Sequence, residues 1–354
     1  MNSDLSFFQL VQRCDNANVH RPNLNSASPS SFDSEVLVPL YLSPSPSSAA
    51  IGLLRPVIVE QLKLENEENR KNDRKQLWAI DIDKPRITFA AWVDTPSLRT
   101  AAMKELCERW RDSGLFSDIC GPKKWRAELY PVYKDPFGPH EHPEDDSDSS
   151  NFAFDLERSA CALFGVVTYG VHMTIYQEIE TKSSRKLMIW VPTRAKTKQT
   201  WPGYLDNSVA GGISSGMGFF ESLVKECMEE ATIGADVVNK YARCAGCISY
   251  SFRTSTGWLQ PEVEYVYDMV IPPDADPALF ALLTPKPLDG EVESFDFLDQ
   301  TSVIAKMRAG MFKNNCALVL IDLFIRLGYC TPDNEPDYMK IITRMHGRFE
   351  YERW

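Results

Sequence analysis

The sequence predicts a two-domain chain of mixed structure, α/β or α+β in class, with a small first half and a larger strand-rich second half. Three observations carry this. The chain has 354 residues, about two domains at the usual ~100–200 residues each. Its 44% hydrophobic and 25% charged residues are those of a globular protein with ample material for a core. Beyond an acidic, proline-flanked stretch at 139–151, strands and a few helices follow in mixed order, the pattern of a layered α and β sandwich.

In chain order, the start MNSDLSFFQLVQRCDNANVH has no basic end followed by an apolar run, and Asp4 and Asp15 oppose a transit peptide. Residues 22–48 are rich in Ser, Pro and Asn and predict a loop. GLLRPVIVEQL predicts a helix or a strand, and Glu65–Lys75 a solvated charged loop. SLRTAAMKELCERWRDSGLF predicts an amphipathic helix with Leu98, Ala102, Leu106 and Trp110 on one face, stopped by Gly114. KKWRAELYPVYK predicts a strand. The stretch PHEHPEDDSDSSN predicts a linker in which His140 and His142 are solvated.

CALFGVVTYGVHMTIYQEI and RKLMIWVP predict two strands joined by a turn at TKSS. A helix follows from about Phe219 to Ala231, then strands at YARCAGCISYSF, EVEYVYDMVI and VESFDFLD. TSVIAKMRAG, ALVLIDLFIRLG and EPDYMKIITRMHGRF predict closing helices. The domain division expected is therefore 1–138, a linker at 139–151, 152–330, and a C-terminal helical extension at 331–354.

The net charge is −11, which opposes phosphate-dominated nucleic-acid binding. No apolar run approaches the ~20 residues of a membrane-spanning helix. Nine cysteines without framework spacing predict free thiols in a reducing, cytoplasmic compartment. Cys244 and Cys247 form a lone C-x-x-C without a second pair of ligands, and are expected as packing residues at a strand start. No G-x-x-x-x-G-K-[ST] loop is present, which opposes a kinase.

The informative stretch is AGGISSGMGFFESLVKECMEEATI, residues 210–233. Glycines in its first half, including Gly211 and Gly212, permit close approach of backbone to ligand. Glu226, Glu229 and Glu230 then share one helix face at spacings of three and four, with Leu223, Cys227 and Ala231 on another. A carboxylate set behind a glycine loop suits a hard cation with phosphate as the remaining ligand.

This segment resembles a Nudix box, G-x5-E-x7-R-E-U-x-E-E-x-G-U. The alignment puts Gly211 on the first glycine and Glu226, Glu229 and Glu230 on the helix glutamates. Met217, Lys225 and Thr232 depart from the pattern's loop glutamate, arginine and late glycine. Longer stretches, from WVPTRAKTKQTWPGYLDNSVAGGISSG to FKNNCALVLIDLFIRLG, resemble a eukaryotic Nudix subfamily related to thiamine pyrophosphokinase. So does the segment Trp125–Tyr133 in the first half. The resemblance implies a Nudix α/β/α sandwich with a mixed sheet, preceded by a small α+β domain. It also implies Mg²⁺- or Mn²⁺-dependent hydrolysis of thiamine diphosphate, or its damaged oxy and oxo forms, to the monophosphate. A Nudix-fold binding module with weak catalysis, and a hydrolase of another nucleoside or sugar diphosphate, remain open. The partner expected is a small diphosphate, with no nucleic acid and no membrane.

Glu226, Glu229 and Glu230 are the expected catalytic and metal residues, any one of them a candidate general base. Glu291 or Glu293 is the candidate carboxylate from outside the helix, Glu291 preferred. Arg194, Lys196 and Lys198 form a basic cluster before the glycine loop, either phosphate ligands or a solvated loop. Substrate contacts are expected at Arg194, Lys198, Gly211, Gly212 and Lys225. Asp206 and Asn207 are read as turn residues, Trp190, Trp201 and Tyr204 as core or stacking aromatics, and His172 as a satisfied sheet histidine.

Overall fold

The computed structural model describes residues 4–17, 32, 34–48, 50–81, 86–143, 146–180, 185–288 and 290–347. The TKSS turn and residues 22–31 and 33 of the expected loop at 22–48 lie outside them. In chain order the elements are α1 (Phe7–Cys14), β1 (Val38–Tyr41), β2 (Ala50–Leu54), α2 (Pro56–Lys71), β3 (Trp78–Asp81), β4 (Arg86–Phe89) and α3 (Pro96–Ser113). Then come β5 (Leu129–Tyr133), β6 (Phe152–Glu157), α4 (Cys161–Phe164), β7 (Thr168–Glu180), β8 (Arg185–Arg194), β9 (Val209–Gly212), α5 (Phe219–Ala231) and α6 (Ala235–Tyr241). The chain continues through β10 (Ala242–Arg253), β11 (Leu259–Val270), α7 (Pro277–Leu282), β12 (Val292–Asp299), α8 (Gln300–Arg308), α9 (Asn314–Arg326) and α10 (Tyr338–Met345). None of the described helices is long and apolar enough to cross a membrane.

A mixed four-stranded sheet, β2-β1-β4-β3, packs against α2 and α3 around Trp78, Phe89 and Trp110. The larger sheet runs β10-β11-β7-β8-β12, with β9 also on β7 and a parallel β7–β11 pair. Alternation assigns its two faces. Val171, Met173, Ile175, Val263 and Met269 meet Leu223, Cys227 and Ala231 of α5. On the other face, Leu187, Ile189, Val191 and Val266 meet α1, α9 and α10. The result is an α/β/α sandwich with a mixed sheet, as the resemblance implied.

Several segments depart from the sequence reading. The described residues of the 139–151 stretch are not a free linker: they lie between the paired strands β5 and β6 and bond back to the first half. Arg99 is only 1% exposed and needs a counter-charge, which Asp148 supplies at 2.8 Å. Asp146 accepts from the Ser97 backbone at 2.8 Å and its hydroxyl at 2.5 Å. The His140 ring packs on Tyr133, Tyr169 and Phe219, and burial lowers its pKa to about 4. The expected loop at 65–75 is largely helix, because Glu65 accepts from Trp110 Nε1 at 2.8 Å and Asn66 is bonded to the backbone of Trp78.

Two elements sit across the expected division. α1 docks on α9, with Phe7 and Phe324 stacked at 6.2 Å, while Phe154 and Phe164 complete the core of the first half. CALF is a short helix rather than strand. On α3, Leu98 is exposed and Arg99, Met103, Leu106, Cys107 and Trp110 form the buried face. Cys244 and Cys247 are exposed, not packed: both lie on the edge strand β10, in register opposite Tyr267 and Tyr265, with a bulge between Cys244 and Gly246.

Candidate active site

The site begins where β9 pairs with β7, Gly170 opposite Gly212 and Val171 opposite Gly211. A Cβ on Gly211 would overlap the Glu226 carboxylate, one on Gly212 the Tyr130 hydroxyl, and one on Gly170 the Glu264 carboxylate. These glycines are thus the space that three polar groups occupy. After β9, the Ser215 N–H donates to the Leu129 carbonyl at 2.8 Å, the Ser214 hydroxyl to Glu128 at 2.6 Å, and the Ser215 hydroxyl to Asp155. The hairpin β5–β6 therefore anchors the loop that feeds α5.

Helix α5 buries Leu223, Cys227 and Ala231 completely, which fixes the direction of its carboxylates. Glu230 is 7% exposed, and its Oε2 accepts from the Ala210 N–H at 3.2 Å. Lys225 Nζ lies 3.2 Å from Glu226 and 3.3 Å from Glu229. Lys198 lies 3.8 Å from Glu230 and contacts Glu291. Burial raises the pKa of Glu226. Burial, then the charges of Asp206 and Glu226, push Glu230 up to about 7. Four carboxylates, Glu226, Glu229, Glu230 and Glu291, against two ammonium groups leave a net negative, all-oxygen set of the kind that could hold a hard divalent cation.

Glu226, Glu229, Glu230, Glu291, Lys198, Lys225, Gly211, Gly212 and Arg194 all line one open cavity of about 500 Å³. Arg194 is nonetheless not available as a phosphate ligand. Its Nε donates to the Trp201 carbonyl at 3.1 Å, one terminal nitrogen to Asp206 at 2.5 Å and the other to the Thr200 carbonyl at 3.0 Å. It closes the loop after β8 instead. Glu293 accepts from the Lys196 N–H at 3.2 Å, and neither residue lines the cavity.

The cavity also reaches carboxylates the sequence did not single out. Glu262 and Glu264 alternate along β11, and Tyr250 Oη bonds to both, at 2.8 Å to Glu264. Asn315 donates to Glu264 at 3.0 Å. His172 is buried, with Nδ1 2.7 Å from Asn207 and Nε2 3.5 Å from Glu264. Burial alone would lower its pKa, and the Glu264 charge overrides this and holds it up. His172, Asp206 and Cys316 have ligand-type atoms within 4.8 Å of one another. Arg194 already pairs with Asp206, and Cys316 Sγ donates to it at 2.6 Å, so the cluster has the partners of a structural network. The first half adds Lys124, Arg126, Glu128, Tyr130 and Arg158 to the lining. The signal for Arg126, Glu128 and Tyr130 was the Trp125–Tyr133 stretch, recognised without a role; Lys124 and Arg158 lie outside it.

Residues 7–168 match the family described as a domain of unknown function (DUF4743). The uncharacterized protein YJR142W of Saccharomyces cerevisiae is 37% identical over 249 residues, 67% of this chain and 65% of its own length. In Arabidopsis thaliana, Nudix hydrolase 20, chloroplastic, is 33% identical over 263 residues, 74% of this chain and 62% of the relative. Nudix hydrolase 24, chloroplastic, is 30% identical over 262 residues, 74% of this chain and 63% of the relative. Two of these three relatives carry Nudix hydrolase names. The chain spans less than two thirds of the length of these curated relatives.

The three departures from the Nudix box each have a structural setting. Lys225 bridges Glu226 and Glu229 from the arginine's position. Met217 lies outside the cavity lining. Thr232 takes the glycine's left-handed conformation at φ 58°, and its hydroxyl donates to the Lys286 carbonyl at 2.7 Å, offsetting part of the strain.

Glu230 yields a signed pH prediction. The folded chain keeps this proton up to about pH 7, whereas the unfolded chain loses it near 4.5. Between those values the folded state binds more protons, so stability falls as pH rises and the penalty persists above pH 7. Metal-free Glu230→Gln is therefore expected to exceed the parent in stability at pH 8 by up to ~3 kcal/mol. The difference should vanish near pH 4. Urea midpoints with a chelator present measure it, and a variant no more stable at pH 8 would contradict the assignment.

Proposed function

We propose that this chain is a divalent-metal-dependent Nudix diphosphatase acting on thiamine diphosphate or its oxy and oxo analogues, with Mg²⁺ or Mn²⁺ as cofactor. The observation that carries the reading is the set Glu226, Glu229, Glu230 and Glu291 on one cavity of about 500 Å³, built beside a glycine edge that lets the Glu226 carboxylate lie against the strand. The cation, when bound, supplies positive charge to the phosphate oxygens and acidity to water. Glu226 and Glu230, both largely buried, hold it, while half-exposed Glu229 is less confined. Lys198 and Lys225 then face the negative charge that collects on the leaving phosphate. Water adds to phosphorus, the anhydride P–O bond breaks, and the products are a monophosphate ester, inorganic phosphate and a proton.

The organic group is read from the resemblance to the thiamine pyrophosphokinase-related Nudix subfamily and from the chemistry of the cavity. Glu262, Glu264, Tyr130 and Tyr169 line the cavity, residue types suited to a cationic aromatic heterocycle. A reducing compartment such as the cytoplasm suits nine cysteines that are all free.

A substrate panel tests the proposal. With Mg²⁺, cleavage of the diphosphate linkage of thiamine diphosphate and oxythiamine diphosphate, followed by each substrate's own monophosphate ester product, is expected to exceed that of ADP, a sugar nucleotide and a dinucleotide by at least about tenfold in kcat/KM. A chelator should abolish it. Faster turnover of a nucleotide would replace the substrate, and no metal-dependent product from any member would leave a binding module.

A further inference from the structure

The cavity wall contributed by the first half carries a cationic group that the glutamate cluster does not explain. Arg126 precedes β5 and Arg158 follows β6. The Arg126 N–H donates to Glu157 at 2.9 Å, and the Arg158 N–H to the Glu128 carbonyl at 2.9 Å. The Arg158 guanidinium donates to Glu128 Oε2 at 2.8 Å and lies 5.0 Å from the centre of the Tyr130 ring. The other Glu128 oxygen accepts from Ser214, so both are occupied. Among the described residues no hydrogen bond or ion pair reaches the Arg126 guanidinium or the Lys124 ammonium, and both side chains line the cavity. Partial burial and the neighbouring Arg158 charge both disfavour the charged form of Arg126.

The position of this group relative to the glutamates follows from β9. The Tyr130 hydroxyl sits over Gly212 and the Glu226 carboxylate over Gly211, adjacent residues of one strand. Arg158 is close enough to lower the Glu226 pKa. A guanidinium without a carboxylate partner, crowded by a second one at the edge of a cavity, is relieved by a multiply charged anion. A phosphate presents the paired oxygens that its fork matches.

We propose that Arg126, with Lys124 and Arg158, forms an anion subsite through which the first half of the chain grips the substrate's diphosphate. This gives part of the segment matched as a domain of unknown function, residues 7–168, a share in the site. Naming the anion as the substrate's diphosphate rests on the diphosphatase reading; the anion subsite itself does not.

The test uses the full chain and imidodiphosphate, a diphosphate mimic with a nitrogen bridge, titrated calorimetrically in Mg²⁺. Arg126→Gln is expected to weaken Kd by about 10- to 100-fold. Arg126→Lys should recover part of the loss, because it restores charge without the fork. Arg126 is exposed on the surface, so the thermal midpoint should stay put. Turnover should show KM raised and kcat within about threefold, the mark of lost ground-state binding. An Arg126→Gln Kd within twofold of the parent, or a parent that does not bind imidodiphosphate, would overturn the subsite. A parent that binds it with this Arg126 dependence and releases phosphate from no diphosphate would uphold the subsite and overturn the diphosphatase reading.

Discussion

Glu229→Gln is expected to lower metal-dependent phosphate release by at least about 100-fold while the chain stays folded. Outer-shell changes at metal sites already cost about 10- to 100-fold, and this change removes a charged oxygen from the proposed donor set itself. Folding should be indifferent, because the side chain is 48% exposed and its ion pair among the described residues is to Lys225, which keeps Glu226 at 3.2 Å. Exposed substitutions of this kind shift stability by about 0.5 kcal/mol or less. Phosphate release at saturating substrate and a thermal midpoint, measured on the same preparation, check both halves. Turnover within threefold of the parent would remove Glu229 from the site, and a collapsed midpoint would assign it to the fold.

Arg194→Met is expected to destabilise the chain by about 3–5 kcal/mol, the cost of leaving a buried charge without its partner. Asp206 is 5% exposed and Arg194 is 7% exposed. Burial alone would raise the Asp206 pKa, but Lys313 and Arg194 outweigh it and hold the carboxyl down at about 2. Removing Arg194 also strands the carbonyls of Thr200 and Trp201. The double variant Arg194→Met, Asp206→Asn should recover part of the loss, since the uncompensated charge goes with it. Urea denaturation of the parent and both variants measures this. A loss below about 1 kcal/mol with a large rise in KM would return Arg194 to the phosphate-binding role its basic neighbours suggested.

The box was legible because its chemistry is local. A glycine turn and three carboxylates at helical spacing are set by about twenty consecutive residues, and α5 forms at Phe219–Ala231 as its periodicity predicts. The strands around it were legible by alternation. Glu262 and Glu264 were not, because a carboxylate at every second position of a strand reads as a solvated face. Only the parallel pairing of β11 with β7 and the arrival of Tyr250 and Asn315 enclose them. The acidic stretch at 139–151 misled for the same reason. Its counter-ion Arg99 is distant in sequence and lies on an apparently polar helix position.

The sequence by itself determined the chemical type of the site: hard oxygen donors beside backbone without side chains, on a sandwich of mixed strands. The tertiary structure decided which charges are available there. Arg194 and Lys198 are near neighbours of the same sign, yet one is consumed by Asp206 and two carbonyls while the other lies among the carboxylates. Arg126 enters the cavity from outside the strand-rich half that carries the box. The physical reason is that a residue's type specifies its charge, while burial and distant partners determine whether that charge is already spent.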